Sequence, residues 1–102
     1  MNLQHYPVEK LKSDLLDIVG WRLDPAQYRL FFFGSRVMNN GSDHSDIDVG
    51  IEGPAPVPMG ILDSIKEDLE NLPAVYKIDL VDFASVSEVF KTVAMAKIEV
   101  IK

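Results

Sequence analysis

Residues 31–52 read FFFGSRVMNNGSDHSDIDVGIE, and the spacing inside this stretch decides how the chain folds. An apolar run from Tyr28 to Phe33 breaks at Gly34-Ser35, ten residues pass, and Asp46 opens the alternating run Asp46-Ile47-Asp48-Val49-Gly50-Ile51. Tyr28 to Phe33 is too short for a helix and rich in aromatics, which predicts a buried strand. Asp46 to Glu52 predicts a second strand. Successive side chains on a strand point to opposite faces, so Asp46 and Asp48 would share one face, with Ile47, Val49 and Ile51 turned to a core. Carboxylates side by side repel, and sheets avoid that pairing unless something cationic sits between them. A divalent cation that prefers oxygen ligands, Mg²⁺ first, is the economical explanation.

The rest of the chain supplies helices to cover that sheet. Val8, Leu11, Leu15 and Ile18 recur at helical spacing, predicting a helix over Val8 to Val19 with Pro7 in its first turn and Gly20 at its stop. Asp24-Pro25 is a turn signal. Gly34 to Ser45 carries turn residues throughout, with a single helical turn expected near Ser35 to Met38. Gly53 to Pro58 reads as a stiff extended spacer. Met59 to Leu72 predicts a second helix, with Ile61, Leu62, Ile65, Leu69 and Leu72 on one face and Pro73 ending it. Lys77 to Phe83 predicts a third strand. A last helix should run from Ser85 to about Lys97, capped by Ser85 or Ser87, with a broad apolar surface from Val86, Val89, Phe90, Val93 and Met95. The closing IEVIK can extend that helix or form a short strand. The expected order is α-β-β-α-β-α: an α/β (α+β) fold, with a small mixed sheet of three to four strands and helices packed on it.

Composition narrows the function classes. The 102 residues suit one domain over 1–102, and the apolar share of 47% suits an ordinary core. There is no cysteine, which excludes disulfides, thiolate metal sites and cysteine nucleophiles. Sixteen acidic residues against ten basic ones give a net charge of −6, which argues against direct nucleic-acid binding. The N-terminal MNLQHYPVEK lacks a basic flank followed by an apolar block, and no apolar run approaches the ~20 residues that span a membrane. No leader and no membrane span are expected, and a cytoplasmic location is.

Gly34-Ser35, ten residues, then Asp46-Ile47-Asp48 is a GS-x(10)-DxD pattern. It resembles the nucleotidyltransferase superfamily that includes DNA polymerase beta and kanamycin nucleotidyltransferase. Within it, Phe33-Gly34-Ser35-Arg36 and Ser45-Asp46-Ile47-Asp48 look like the minimal nucleotidyltransferase (MNT) domains of prokaryotes. That family carries its third carboxylate on a downstream strand, here in Ile78-Asp79-Leu80-Val81-Asp82. The resemblance implies the polymerase beta-like nucleotidyltransferase fold and transfer of a nucleoside monophosphate with release of pyrophosphate. It implies Asp46, Asp48 and Asp79 as the catalytic, metal-holding carboxylates around two Mg²⁺ ions, with ATP as substrate. Gly34 would let the backbone approach a phosphate closely, with backbone N–H groups and the Ser35 hydroxyl binding triphosphate oxygens. Arg36, whose planar fork suits phosphate, joins them.

Some positions depart from the pattern or compete with it. After GSR the family carries a small residue, a basic residue and a glycine, where this chain has Val37, Met38 and Asn39. Asparagine can occupy a left-handed turn position, so Asn39 or Asn40 can stand in for that glycine. The missing basic residue weakens the case for tight triphosphate binding. Asp82 is an alternative to Asp79, although alternation should turn it to the other face. His44 is expected to be a solvated loop residue, His5 incidental and Asp43 a turn residue.

The MNT domains that the chain resembles are typically encoded beside a helical HEPN-domain protein, often an RNase toxin, which they bind as antitoxins. Some transfer AMP from ATP to the toxin's tyrosine. No added acceptor-binding domain is expected beyond the catalytic core, so the acceptor site is expected to come from a partner. The resemblance therefore implies an Mg²⁺-dependent transfer of AMP to a hydroxyl of a HEPN toxin. The alternatives are a catalytically weak or inactive module that neutralises the toxin by binding, and an aminoglycoside-type enzyme completed across a homodimer.

Overall fold

The computed structural model describes residues 3, 6–34, 37, 46–73 and 76–102. Its elements are α1 (Val8–Gly20), β1 (Arg29–Phe33), β2 (Ile47–Glu52), α2 (Met59–Glu70), β3 (Ile78–Asp82), α3 (Glu88–Met95) and β4 (Glu99–Val100). The four strands form one sheet in the order β3-β2-β1-β4. β2 runs antiparallel to β1 and parallel to β3, and β4 runs antiparallel to β1. Parallel neighbours cannot be joined by a tight turn, and α2 supplies the crossover from β2 to β3.

Four consecutive residues of β1, Leu30 to Phe33, are buried, which requires cover on both faces of the sheet. Alternation divides them. Leu30 and Phe32 join Ile47, Val49, Ile51 and Leu80 in a core closed by Leu11, Leu15 and Val19 of α1 and by Ile65 and Leu69 of α2. Phe31 and Phe33 meet Phe83 on the opposite face, beneath Val86, Ala94 and Met95. There the Phe31 and Phe83 rings meet edge to face, 4.9 Å apart, and Phe33 and Phe83 do the same at 5.1 Å. Two helices thus cover one face, and α3 covers part of the other.

Gly50 makes that second layer possible. A Cβ there would overlap the rings of both Phe31 and Phe83. Gly50→Ala is expected to destabilise the fold by about 1–3 kcal/mol through overpacking, readable as a lowered denaturation midpoint with an unchanged denaturant slope.

Ion pairs tie the layers at their edges. Arg22, just after α1, donates from Nη2 to Asp68 Oδ2 at 2.6 Å and from Nε to Ser64 Oγ at 3.2 Å, joining α1 to α2. Glu52 at the end of β2 accepts from Arg29 at 2.9 Å and from Lys91 of α3 at 2.8 Å. The Lys91 ammonium, with Arg29 beside it, holds the Glu52 carboxyl below its ordinary value against the opposite push of burial. The linked stability is present above that ordinary value and is lost as pH falls through the lowered one.

Element ends differ from the expected ones by a residue or a few. Helix α1 continues through Gly20, and Pro7 is its N-cap rather than a first-turn residue. β2 begins at Ile47, so Asp46 precedes the strand. α2 stops at Glu70. α3 is shorter than expected because Ser87 is its cap, its side chain accepting from Phe90 N. The tail resolves as the strand β4 plus two residues. Leu30 N donates to Lys102 O at 2.7 Å, and Ile101 N donates to Leu30 O at 2.9 Å. The free edge of β1 captures the tail, making the order α-β-β-α-β-α-β.

Candidate functional site

The burial of three isoleucine and valine side chains aims the first carboxylate. Ile47, Val49 and Ile51 are fixed in the core under α1 and α2, so Asp48 between them must point to the α3 side. Leu80 is fixed in the same core, with Ile78 packed against it, and Asp79 is turned outward in the same way. The parallel register sets Asp48 directly beside Asp79, and the antiparallel register sets it beside Phe33. On this same face α3 packs through Ala94 and Met95 against the cluster of Phe31, Phe33 and Phe83.

Gly34 closes the site on the β1 side. Its φ of +82° lies in the left-handed region that favours glycine. A Cβ there would overlap Asp48 Oδ2, so the carboxylate lies directly against the Gly34 backbone. Asp46, exposed, stands one residue before β2. Burial first, then the Asp79 charge, then that of Asp46 push the Asp48 carboxyl above its ordinary value. Among the described residues none of the three carboxylates pairs with a cation.

This arrangement can take a hard cation. Among the described residues its side-chain donors are carboxylate oxygens, and the repulsion among them is of the kind a divalent cation relieves. Among the described residues no three His, Cys, Asp or Glu side chains gather into a ready cage. Mg²⁺ seldom needs one, because it is commonly bound through one or two carboxylates plus substrate phosphates. The residues present therefore fit Mg²⁺ held jointly with a nucleotide.

The other sequence candidates separate by phase. Asp82, three residues beyond Asp79, falls on the α1/α2 face and is buried. Its Oδ2 accepts from Val57 N at 2.8 Å and its Oδ1 from Ala84 N at 3.0 Å, so it anchors the Pro-rich spacer and the turn after β3. Asp82→Ala would orphan both donors and is expected to cost about 1–3 kcal/mol, measurable by chemical denaturation. Asp79→Asn should leave the midpoint unchanged or raise it. Ser35, Arg36, Met38, Asn39, Asn40, Asp43 and His44 lie outside the described residues, as do His5 and most of the helical turn expected near Ser35 to Met38.

No motif marks the neighbouring feature. A cavity of about 520 Å³ lies beside Gly34, lined by Phe33, Gly34, Phe90, Val93, Ala94, Ala96 and Lys97. Its walls come from the end of β1 and from α3, more than fifty residues apart in the chain. The one sequence signal is the excess apolar width of the last helix.

Comparison with known proteins identifies the family and the fold. Residues 9–102 match the nucleotidyltransferase domain family. The chain is 32% identical over 85 residues, 81% of its own length and 75% of the relative's, to the probable protein adenylyltransferase MntA of Haemophilus influenzae. A crystal structure of a toxin–antitoxin with AMP-PNP superposes with a TM-score of 0.72 at 18% identity, over 89% of this chain and 72% of that one. A structure of tri-AMPylated Shewanella oneidensis HEPN toxin in complex with MNT antitoxin superposes at 0.68 and 18% identity, over 93% of this chain and 72% of that one. Both share the fold of three helices on a four-stranded mixed sheet. The chain belongs to the nucleotidyltransferase domain family, as a nucleotidyltransferase of the minimal, MNT kind.

Proposed function

We propose that residues 1–102 act as a single minimal nucleotidyltransferase domain, which transfers AMP from ATP to a hydroxyl of a HEPN-domain toxin and so serves as its antitoxin. One observation carries the reading: Asp48 and Asp79 stand side by side on neighbouring strands, with Asp48 against Gly34 and no cation paired with either among the described residues. The MntA relative is a probable protein adenylyltransferase, and one structural neighbour pairs an MNT antitoxin with an AMPylated HEPN toxin. No described helix is long and apolar enough to cross a membrane, in keeping with a cytoplasmic site of action.

In this reading Asp46, Asp48 and Asp79 would hold two Mg²⁺ ions, which would supply neutralisation of charge on the phosphates and on the attacking and leaving oxygens. Gly34 lets the backbone approach the triphosphate, with Ser35 and Arg36 as further phosphate contacts. The acceptor oxygen attacks the α-phosphorus and forms a new P–O bond. The bond from the α-phosphorus to the oxygen bridging to the β-phosphate breaks, and pyrophosphate leaves with that oxygen. A carboxylate oxygen of Asp79 takes the acceptor's proton. Burial of Asp48 among other negative charges means that a bound cation would relieve it.

Incubating the chain with Mg²⁺, a purified HEPN partner and ATP labelled at either the α- or the γ-phosphate tests this. The α-label should appear on the partner with pyrophosphate released, and Asp79→Asn should abolish it. Transfer of the γ-label would contradict the reading. A partner bound and silenced without label would favour neutralisation by binding alone, the reading that Met38 and Asn39 support by departing from the family's basic residue and glycine.

A further inference from the structure

The two edges of the sheet are unlike. β4 at one edge is two residues long, too short to template a further strand, whereas β3 at the other runs five residues in unbroken register with no proline to blunt it. Ile47 N donates to Lys77 O and Phe83 N to Ile51 O, both at 2.9 Å, so the odd-numbered residues of β3 bond to β2 through their backbone. Alternation turns the N–H and C=O of Ile78 and Leu80 outward, where they have no partner among the described residues. Asp82 O, next in phase, accepts from Ser85 N at 3.1 Å, which closes the edge at that end. Beside this edge lies a groove of about 390 Å³, lined by Met59, Leu62 and Lys66 of α2 and by Leu80, Val81 and Val86 of β3 and the segment after it. Met59 is 77% exposed there. Lys66 in the groove and Lys77 ahead of β3 are exposed and pair with no acid among the described residues.

We infer that the open edge of β3 receives an extended segment of the acceptor protein as an added strand, which places the acceptor hydroxyl over Asp79. The inference rests on the AMP-transfer reading and supplies the acceptor site that the reading leaves unassigned. Outward N–H and C=O groups in a strand are met by the backbone of another strand, so the occupant is an extended peptide rather than a small molecule or a helix. An added strand lies ~4.8 Å away, and its side chain level with Asp79 stands on the same face as that carboxylate. The residues before and after it turn to the α2 face, where Met59 and Leu62 can take apolar side chains. Asp79 is exposed. A hydroxyl held there gives its proton to the carboxylate as its oxygen bonds the α-phosphorus, and pyrophosphate leaves with the bridging oxygen. Lys66 and Lys77 favour a segment flanked by an acidic residue. The net charge of −6 on each chain opposes pairing of this edge with a second copy.

Amide exchange followed residue by residue by NMR, on the whole chain with and without a purified HEPN partner, tests the assignment. In the free chain the Ile78 and Leu80 amides should exchange faster than those of Asp79 and Val81, and in the complex they should slow by about tenfold or more. Met59→Asp gives a second arm, since the exposed first turn of α2 accepts an acidic residue, and an unchanged melting temperature verifies the fold. A carboxylate in the groove should raise KM for the partner about tenfold, leaving kcat and the melting shift with Mg²⁺ and ATP near wild type. A complex in which Ile78 and Leu80 exchange as before would overturn the inference, as would a Met59→Asp chain that labels the partner with the wild-type KM. The same slowing in the chain alone as its concentration rises would overturn it too, for then the edge pairs with a second copy. A wild-type chain that transfers no α-label would instead bring down the AMP-transfer reading, and the acceptor site with it.

Discussion

Asp48→Asn is expected to abolish AMP transfer and at the same time to raise the melting temperature. The loss of rate follows from removing the half-buried carboxylate between Gly34 and Asp79, and should reach about 10³-fold or more. The gain in stability follows from the same placement. Burial and the charges of Asp79 and Asp46 hold the Asp48 carboxyl above its ordinary value, so its ionised form weighs against the folded state. Asparagine removes that repulsion and keeps the shape. Discounted for partial exposure, the gain is about 1 kcal/mol, or roughly 5 °C in a domain of this size. A raised carboxyl makes the folded state the better proton binder. Stability conferred by its neutral form is therefore lost as pH rises from the ordinary value of 3.8 through the raised one. The two chains should melt alike in acid and diverge above it. Melting curves across pH, paired with the labelled-ATP assay, check both halves.

Gly34→Ala is expected to damage activity and stability together. At φ +82° a Cβ carries a penalty of about 1–2 kcal/mol. The same Cβ would overlap Asp48 Oδ2, so the carboxylate must swing away from its place beside Asp79. A displacement of that size commonly costs about 10²-fold in rate. The signature separates it from Asp48→Asn: both lose transfer, but Gly34→Ala melts lower than wild type and Asp48→Asn melts higher. An alanine chain that melts and turns over like wild type would show that the backbone does not need this conformation.

Much of this site could be read from residue order because β-strand alternation is rigid. Once Ile47, Val49 and Ile51 are assigned to a core, the side on which Asp48 stands follows, and the same logic turns Asp79 and Asp82 to opposite sides. What alternation cannot provide is partnership across the sheet. Gly50 reads as an ordinary strand glycine until Phe31 and Phe83 are brought over it. The five-residue tail is too short for its pattern to decide between helix and strand, and the open edge of β1 decided it through Leu30. Ser85 and Ser87 are equally good caps on paper, and the turn held by Asp82 through Ala84 N precedes the choice of Ser87. The cavity at Phe90 was hidden for the same reason, since its walls lie in elements distant in sequence.

The pairing of Asp48 with Asp79 as a cation-dependent nucleotide site is tested most directly by thermal melting with and without Mg²⁺ and ATP. Ligand that binds only the folded chain must raise its melting temperature. Wild type should gain several degrees from the two together and little from ATP without the metal. Asp48→Asn and Asp79→Asn should gain nothing, with Asp48→Asn already melting above wild type before any addition. A wild-type chain unmoved by Mg²⁺ and ATP, or asparagine variants that still gain the full shift, would contradict the account.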